Sequence, residues 1–345
     1  MSNKINTSSL DQISQFEKVK PTSLTADAFR RLRKNKAAML GAMIVFLNIL
    51  LAIFAPLIAP KKYDTVSFKD INGTPAWVIK VFPNMKAVEQ GGYVKIREDY
   101  LLGADNLGRD LLSRIIYGAR ISLTVGVITP FINLTLGLLI GLIAGYRGGW
   151  LDNVMMRFVD IMYAFPTYLL IILLMAVFRL GASKLEPGSF GYFFSQLDAS
   201  MGGLLFIFIG IGLTSWMNEA RLARGQVLSV RENDYITAAI AIGAPTSRIV
   251  FRHILPNIIG PLIIAETLAI PSYIAYEAFL SFIGLGVNPP TPSWGGMIAD
   301  GVVRIQAYPN HAIFPALALF ILMFAFNFLG DGLRDAFDPT LRGRE

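Results

Sequence analysis

The sequence predicts an all-α membrane protein with six transmembrane helices and both termini cytoplasmic. Of its 345 residues, 54% are hydrophobic and only 16% are charged, a balance outside the range of ordinary soluble domains. Mean hydropathy is +0.52. Six apolar stretches, most of them uncharged, approach or exceed the length needed to cross hydrocarbon. The cations are also unevenly placed. Five arginines face three acids between Glu219 and His253, whereas Arg304 is the single cation from Gly286 to Asn310, which assigns the first of these segments to the inside. The net charge of +7 therefore points to a membrane surface and not to nucleic acid, because no basic module interleaved with aromatic residues is present. There is no cysteine, and the two histidines, His253 and His311, are far apart, so neither a disulfide framework nor a metal centre is expected.

Taken in order, residues 1–36 form a polar cytoplasmic tail whose end, ADAFRRLRKNK, sets Arg30, Arg31, Arg33, Lys34 and Lys36 beside the first span. Such a cluster holds its end inside and can meet anionic headgroups. Ala37 to Pro60 carries no charge and is a first span; it is too long for a signal-peptide core and is read as retained. Residues 61–118 form a polar extracytoplasmic segment. Its Asp105-Asn106 pair does not open an EF-hand loop, because Leu107 and Arg109 stand where oxygen ligands are needed. The second span, 121–146, places Gly137, Gly141 and Gly145 on one face, where a neighbouring helix can pack closely. Residues 147–157, RGGWLDNVMMR, read as a short inside loop. The third span, 158–178, should bend at Pro166. The outer segment 179–202 is Gly-rich and aromatic and has no role assigned from sequence. A short fourth span, 203–217, leads into an inside loop, 218–257.

The fifth span, 258–283, contains Glu266 and Glu277. Eleven residues of α-helix return to within about 20° of the same angle, so both carboxylates share a face unless Pro271 kinks the helix. Carboxylates inside a span are costly and face protein or water. These two are candidate groups on a translocation pathway, or else partners of neighbouring helices. Residues 284–310, with Pro289, Pro290, Pro292, Trp294 and Gly295-Gly296, form an outer loop. A sixth span, 311–330, precedes the cytoplasmic tail 332–345.

The chain is organised around NDYITAAIAIGAPTSRIVFRHILPN, residues 233–257. Asn233 or Asp234 can cap a helix, Gly243 ends it, and Pro245 suits the first turn of the next. That second helix carries Arg248, Arg252 and His253 and is expected to close at Pro256. The pattern Ala238-Ala239, three residues, Gly243, eleven residues, Leu255-Pro256 resembles the cytoplasmic EAA loop of permease subunits of ABC importers. Thr237 stands where that motif has its glutamate, and His253 where it has isoleucine. The ending His-Ile-Leu-Pro-Asn resembles the oligopeptide and dipeptide branch, as do LGADNLGRDLLSRIIYGARISL (102–123), DIMYAFP (160–166), YEAFLSFIGLG (276–286) and LGDGLRDAFDPTLR (329–342).

The resemblance implies a type I importer permease core of the MetI-like kind over residues 119–331, in the cell membrane. It implies that Thr237, Ala238, Ala239, Gly243, Pro245, Arg248, His253 and Pro256 belong to the element that couples to an ATPase. The implied partners are a homologous second permease, two ATP-binding subunits, an extracytoplasmic peptide-binding protein and a peptide substrate. The chain has no G-x-x-x-x-G-K-[ST] loop, so it does not cradle ATP in the P-loop manner; ATP and Mg²⁺ are expected in the partner subunits, with no cofactor here. No catalytic constellation is visible, and the chain is not expected to be an enzyme. The alternatives are an ion-coupled secondary transporter using Glu266 and Glu277, or the same ABC architecture importing nickel chelates.

Overall fold

The computed structural model describes residues 24–177, 186 and 188–337; the expectations for 1–23 and 338–345 lie outside them. With apolar side chains over long stretches and no water to satisfy backbone groups in hydrocarbon, helix is the available solution. Helix α1 (Leu24–Lys34) packs beside the end of the chain, where its Leu32 lies against Gly332. Asn35 then caps α2 (Lys36–Ile53), its Oδ1 accepting the Ala38 N–H at 3.1 Å. The segment Lys36–Ile53, the helix α4 (Leu111–Arg147), the run Thr246–Phe282 and the helix α12 (Asn310–Phe337) are each long and apolar enough to cross a membrane. Two bent pairs raise the total to six when each pair is one span. The first joins α5 (Gly149–Tyr163) to α6 (Thr167–Met175) at 80°, the second α7 (Phe190–Ser200) to α8 (Leu204–Arg231) at 109°. Among the described residues there is no β-strand, only isolated bridges such as Thr74 with Ile96.

Several boundaries differ from the sequence reading. The second span begins at Leu111, because Asp110 accepts the N–H and hydroxyl of Ser113, at 2.8 and 2.6 Å, and so caps the helix early. Residues 147–157 are not a loop. Gly148 and Gly149 take φ of 65° and 62°, which reverses the chain within two residues, and α5 starts at once. Its Asp152 is held by Arg224 of α8 in a two-pronged pair at 2.6 and 2.7 Å. At Pro166 the expected bend is present, an 80° break between α5 and α6. The fourth helix continues past 217 to Arg231, whose guanidinium donates to the carbonyls of Gly145 and Tyr146 at the end of α4. Part of the 179–202 segment forms α7; residues 178–185 and 187 lie outside the described set.

The polar segment between α2 and α4 has a core of its own. Helix α3 (Ala76–Val81) brings Val78 against Met85 and Val94, with Tyr308 and Phe314 supplied from the α12 side. Asp70 ties this segment together: it accepts from Ser67 Oγ at 2.7 Å and from Tyr100 OH at 3.1 Å, and Arg97 lies 2.9 Å away. Helix α11 (Trp294–Val302) closes the same end of the bundle. Trp294, buried against Gly118, donates its indole N–H to the Ile115 carbonyl at 2.9 Å.

The α4–α8 contact is made through Gly137, Gly141 and Gly145. A Cβ on Gly141 would meet the Ala220 carbonyl and the Ala223 Cβ, both at 2.5 Å, and one on Gly145 would meet Val227. Gly141→Leu should therefore lower the unfolding midpoint of detergent-solubilised protein, at a cost of about 1–3 kcal/mol from overpacking. Gly225, where no atom lies within 4 Å of an added Cβ, should accept alanine with a gain of up to about 1 kcal/mol in helix propensity. In the segment between α2 and α4, the hydrogen bond from Ser67, then those from Tyr100 and the charge of Arg97, hold the Asp70 carboxyl below the usual range against the opposing effect of burial. Its contribution is present above the unfolded carboxylate range and is lost as pH falls through the depressed one. Limited proteolysis of residues 61–110 should accelerate on acidification, and Asp70→Asn should give the acid pattern at neutral pH.

Candidate functional site

The hairpin between α8 and the fifth span is built by local chemistry. Asn233 sits in extended conformation at the start of α9 (Asp234–Ala241), with Asp234 in the first turn, where a carboxylate favours the helix dipole. Gly243, at φ 78°, takes the left-handed geometry that lets the chain leave the helix. Pro245 occupies the extended residue before Thr246–Arg248, one position earlier than the first helical turn.

Pro256 does not close the second helix, contrary to the sequence reading. Ile249–Ile254 forms a π-helical segment that continues directly into α10 (Leu255–Phe282). Pro256 lies in the first turn of α10, where its missing N–H leaves no interior α-helical bond broken. The wider π turn leads into that position, so the hairpin and the fifth span are one continuous helical rod. Such π segments are often found at functional sites.

The hairpin has a dry side and an open side. Ile236, Ile249, Ile254 and Ile258 pack with Val227 and Ala223 of α8 and with Leu138 and Leu142 of α4. Facing away are Thr237, Ala238, Gly243, Pro245 and Arg248, together with large apolar groups: Ile242 is 86% exposed, Phe251 68% and Ile240 53%. Ala239 points inward and is buried, so it anchors α9 instead of lining the open side. His253 is half-buried, its ring 6.2 Å from that of Tyr235, and Asn257 donates to the His253 carbonyl at 2.6 Å. The exposed set joins small residues to isolated large apolar ones, a surface into which or onto which another protein can fit closely.

Of the two settings that the sequence leaves open for Glu266 and Glu277, the structure gives contacts with side chains of the same chain. Both lie inside the packing of the chain, 3% and 0% exposed. Glu277 accepts from Ser281 Oγ at 2.7 Å, with the hydroxyls of Ser122 and Ser293 beside it. Glu266 accepts from Tyr273 OH at 3.0 Å. The open space in this region is instead a cavity of about 370 Å³ beside the α5–α6 break, where Pro166, Thr167, Thr214, Ser215, Ser272 and Tyr276 meet. Its hydroxyls and aromatic rings can bind a polar ligand without charge. The sequence reading missed it because a Pro-broken span and two others must converge to make it. Glu219, which faces Glu266 from α8, was also missed; a carboxylate two residues before Arg221 and five before Arg224 reads as part of a solvated inside stretch.

The comparisons with known proteins agree with this architecture. Residues 137–343 match the family described as binding-protein-dependent transport system inner membrane component. Residues 23–75 match the N-terminal TM domain of oligopeptide transport permease C. The oligopeptide transport system permease protein OppC of Bacillus subtilis (strain 168) is 40% identical over 94% of this chain and 92% of its own length. The dipeptide transport system permease protein DppC of the same strain is 38% identical, over 93% of this chain and 87% of its own. Among solved structures, an inward-facing MetNI methionine ABC transporter aligns at TM-score 0.49 and 18% identity, over 66% of this chain and 97% of the other. A helical bundle with up to six spans, an exposed small-residue hairpin and near full-length relatives lead to one conclusion: the chain belongs to the inner-membrane permease components of binding-protein-dependent ABC importers.

Proposed function

We propose that this chain is one of two membrane subunits of an ATP-driven importer that receives peptides from an extracytoplasmic binding protein. The observation that carries this reading is the open side of the hairpin. Ile240, Ile242 and Phe251 project from one end of the bundle around Gly243 and Ala238, a rigid apolar patch that supports docking of an ATPase subunit. ATP and Mg²⁺ are held by that subunit. Closure of two ATPases drives the hairpin, and because it is continuous with α10, the fifth span moves with it. The cavity beside Pro166 then serves as part of the passage wall, where hydroxyls and aromatic rings meet a peptide backbone. The largely uncharged wall leaves selectivity to the binding protein. Peptide cargo is favoured over nickel chelates by the names of the relatives, oligopeptide and dipeptide permeases. Secondary transport through Glu266 and Glu277 loses support from their burial against side chains of the same chain.

Purification of this subunit from gently solubilised membranes should recover a second permease and two P-loop subunits. The ATPase activity of that complex should rise only when binding protein and peptide are both supplied; stimulation by a nickel chelate would change the cargo. The isolated chain should hydrolyse no ATP, and measurable turnover by the pure chain would overturn the subunit assignment. Gly243→Val should uncouple hydrolysis from uptake while leaving the complex in the membrane. No atom lies within 4 Å of the added Cβ, so the cost is conformational, about 1–3 kcal/mol at a left-handed position. Gly243→Asn, which tolerates that geometry, should retain coupled uptake.

A further inference from the structure

Midway along the bundle, three spans bring together polar groups that the bundle's packing does not account for. Thr129 and Asn133 come from α4, Glu219 from α8, and Glu266 and Tyr273 from α10; all five are at least nine-tenths buried. Thr129 Oγ1, both amide atoms of Asn133, Oε2 of Glu219 and Oε1 of Glu266 have no hydrogen-bond partner among the described residues. The Glu219 and Glu266 carboxyls are neighbours, and the Asn133 amide lies beside the Tyr273 hydroxyl. Tyr273 in turn donates to Oε2 of Glu266. Among the described residues no lysine, arginine or histidine acts on either carboxyl. The nearest arginines in sequence, Arg221 and Arg224, are taken by Asp160 and Asp152. The two acids therefore face one another and the Tyr273 phenol, with the Asn133 amide beside that phenol.

Two ionised carboxylates at this spacing cannot hydrogen-bond, since both only accept, and like charges in a low dielectric repel strongly. Two adjacent buried charges without a counter-charge are costlier still in a membrane interior than one that meets hydrogen-bond donors. One proton between the two resolves the conflict. The neutral acid donates to the carboxylate, and the Tyr273 hydroxyl donates to Oε2 of Glu266. We propose that Glu219 and Glu266 share one proton as an acid–carboxylate pair that ties α8 to α10 in the middle of the bundle. The pair sits about 18 Å from the hairpin, twelve residues along α8 at about 1.5 Å each. The helices that enter and leave the hairpin are thereby joined at a second point, and Tyr273, which also lines the cavity beside Pro166, is held at its wall. Glu219 and Glu266 are positioning residues that act through these helices.

The test is infrared spectroscopy of the assembled complex in lipid discs, reading the deuterium-sensitive C=O stretch of a protonated carboxyl. The wild type should show such a band. Glu219→Gln and Glu266→Gln should each remove the same band, and the double variant should remove no more than either single one, because one proton is shared. Glu277→Gln identifies any contribution from the other buried acid, and its loss should add to theirs. Additive losses from Glu219→Gln and Glu266→Gln would mean two independent acids and overturn sharing. No loss from either, or a band-free spectrum that responds to sodium or potassium, would put a cation in place of the proton and also overturn it. Glu266→Ala, which removes the link, should reduce peptide-stimulated ATPase on the order of tenfold, with Glu266→Gln retaining most of it. This activity readout rests on the importer reading, whereas the band does not, so the two can fail separately. Should Glu266→Ala not assemble, the isosteric glutamine variants alone decide the proposal.

Discussion

Where α4 and α8 come together, three glycines spaced four residues apart let the backbone of one helix approach the other to contact. Carbonyl and amide groups of Ala220 and Arg224 lie where Gly137 and Gly141 would otherwise carry a Cβ. Much else follows from that approach. It sets Glu219 in the layer of Asn133, brings Arg224 within reach of Asp152, and lays Arg231 on the last carbonyls of α4. Because α8 leaves the bundle from this contact, the direction of the hairpin is also fixed by it. In hydrocarbon, where burying apolar surface gives little drive between helices, such close packing and a few interhelical polar links supply the specificity.

The parts of the fold that were legible in the sequence are those governed by local chemistry. Gly243 and Pro245 announce a turn whatever surrounds them, and long uncharged stretches announce spans. The family resemblance at Ala238-Ala239 and Leu255-Pro256 was legible for the same reason, since the hairpin is contiguous. Boundaries were less so. The capping pair Asp110 and Ser113 was present in the sequence, but the charged residues around it made the start of α4 read as loop. Helix α5 was hidden because its charges, Asp152 and Asp160, are paired with arginines on another helix and so carry no signal of their own.

The candidate site was only partly legible. Glu266 and Glu277 stood out as carboxylates in a span, and eleven-residue spacing correctly relates them along one helix. What they face depends on α4, α8 and α11, which no single-helix argument contains. The core of the 61–118 segment has the same origin: Tyr308 and Phe314, from much later in the chain, complete it. Sequence reading names chemically unusual residues well and assigns their partners poorly, because partners come from other helices.

The π-helical segment Ile249–Ile254 sets the aim of the hairpin. A π turn accommodates one residue more than an α turn over the same length. Relaxing it to α geometry advances the rod by one residue, about 1.5 Å along the axis and about 100° around it. Ile242, Gly243 and Phe251 would swing by that angle relative to α10 with no helix melted and no span displaced. The number of residues between Arg248 and Pro256 thus decides which way the exposed side of the hairpin points.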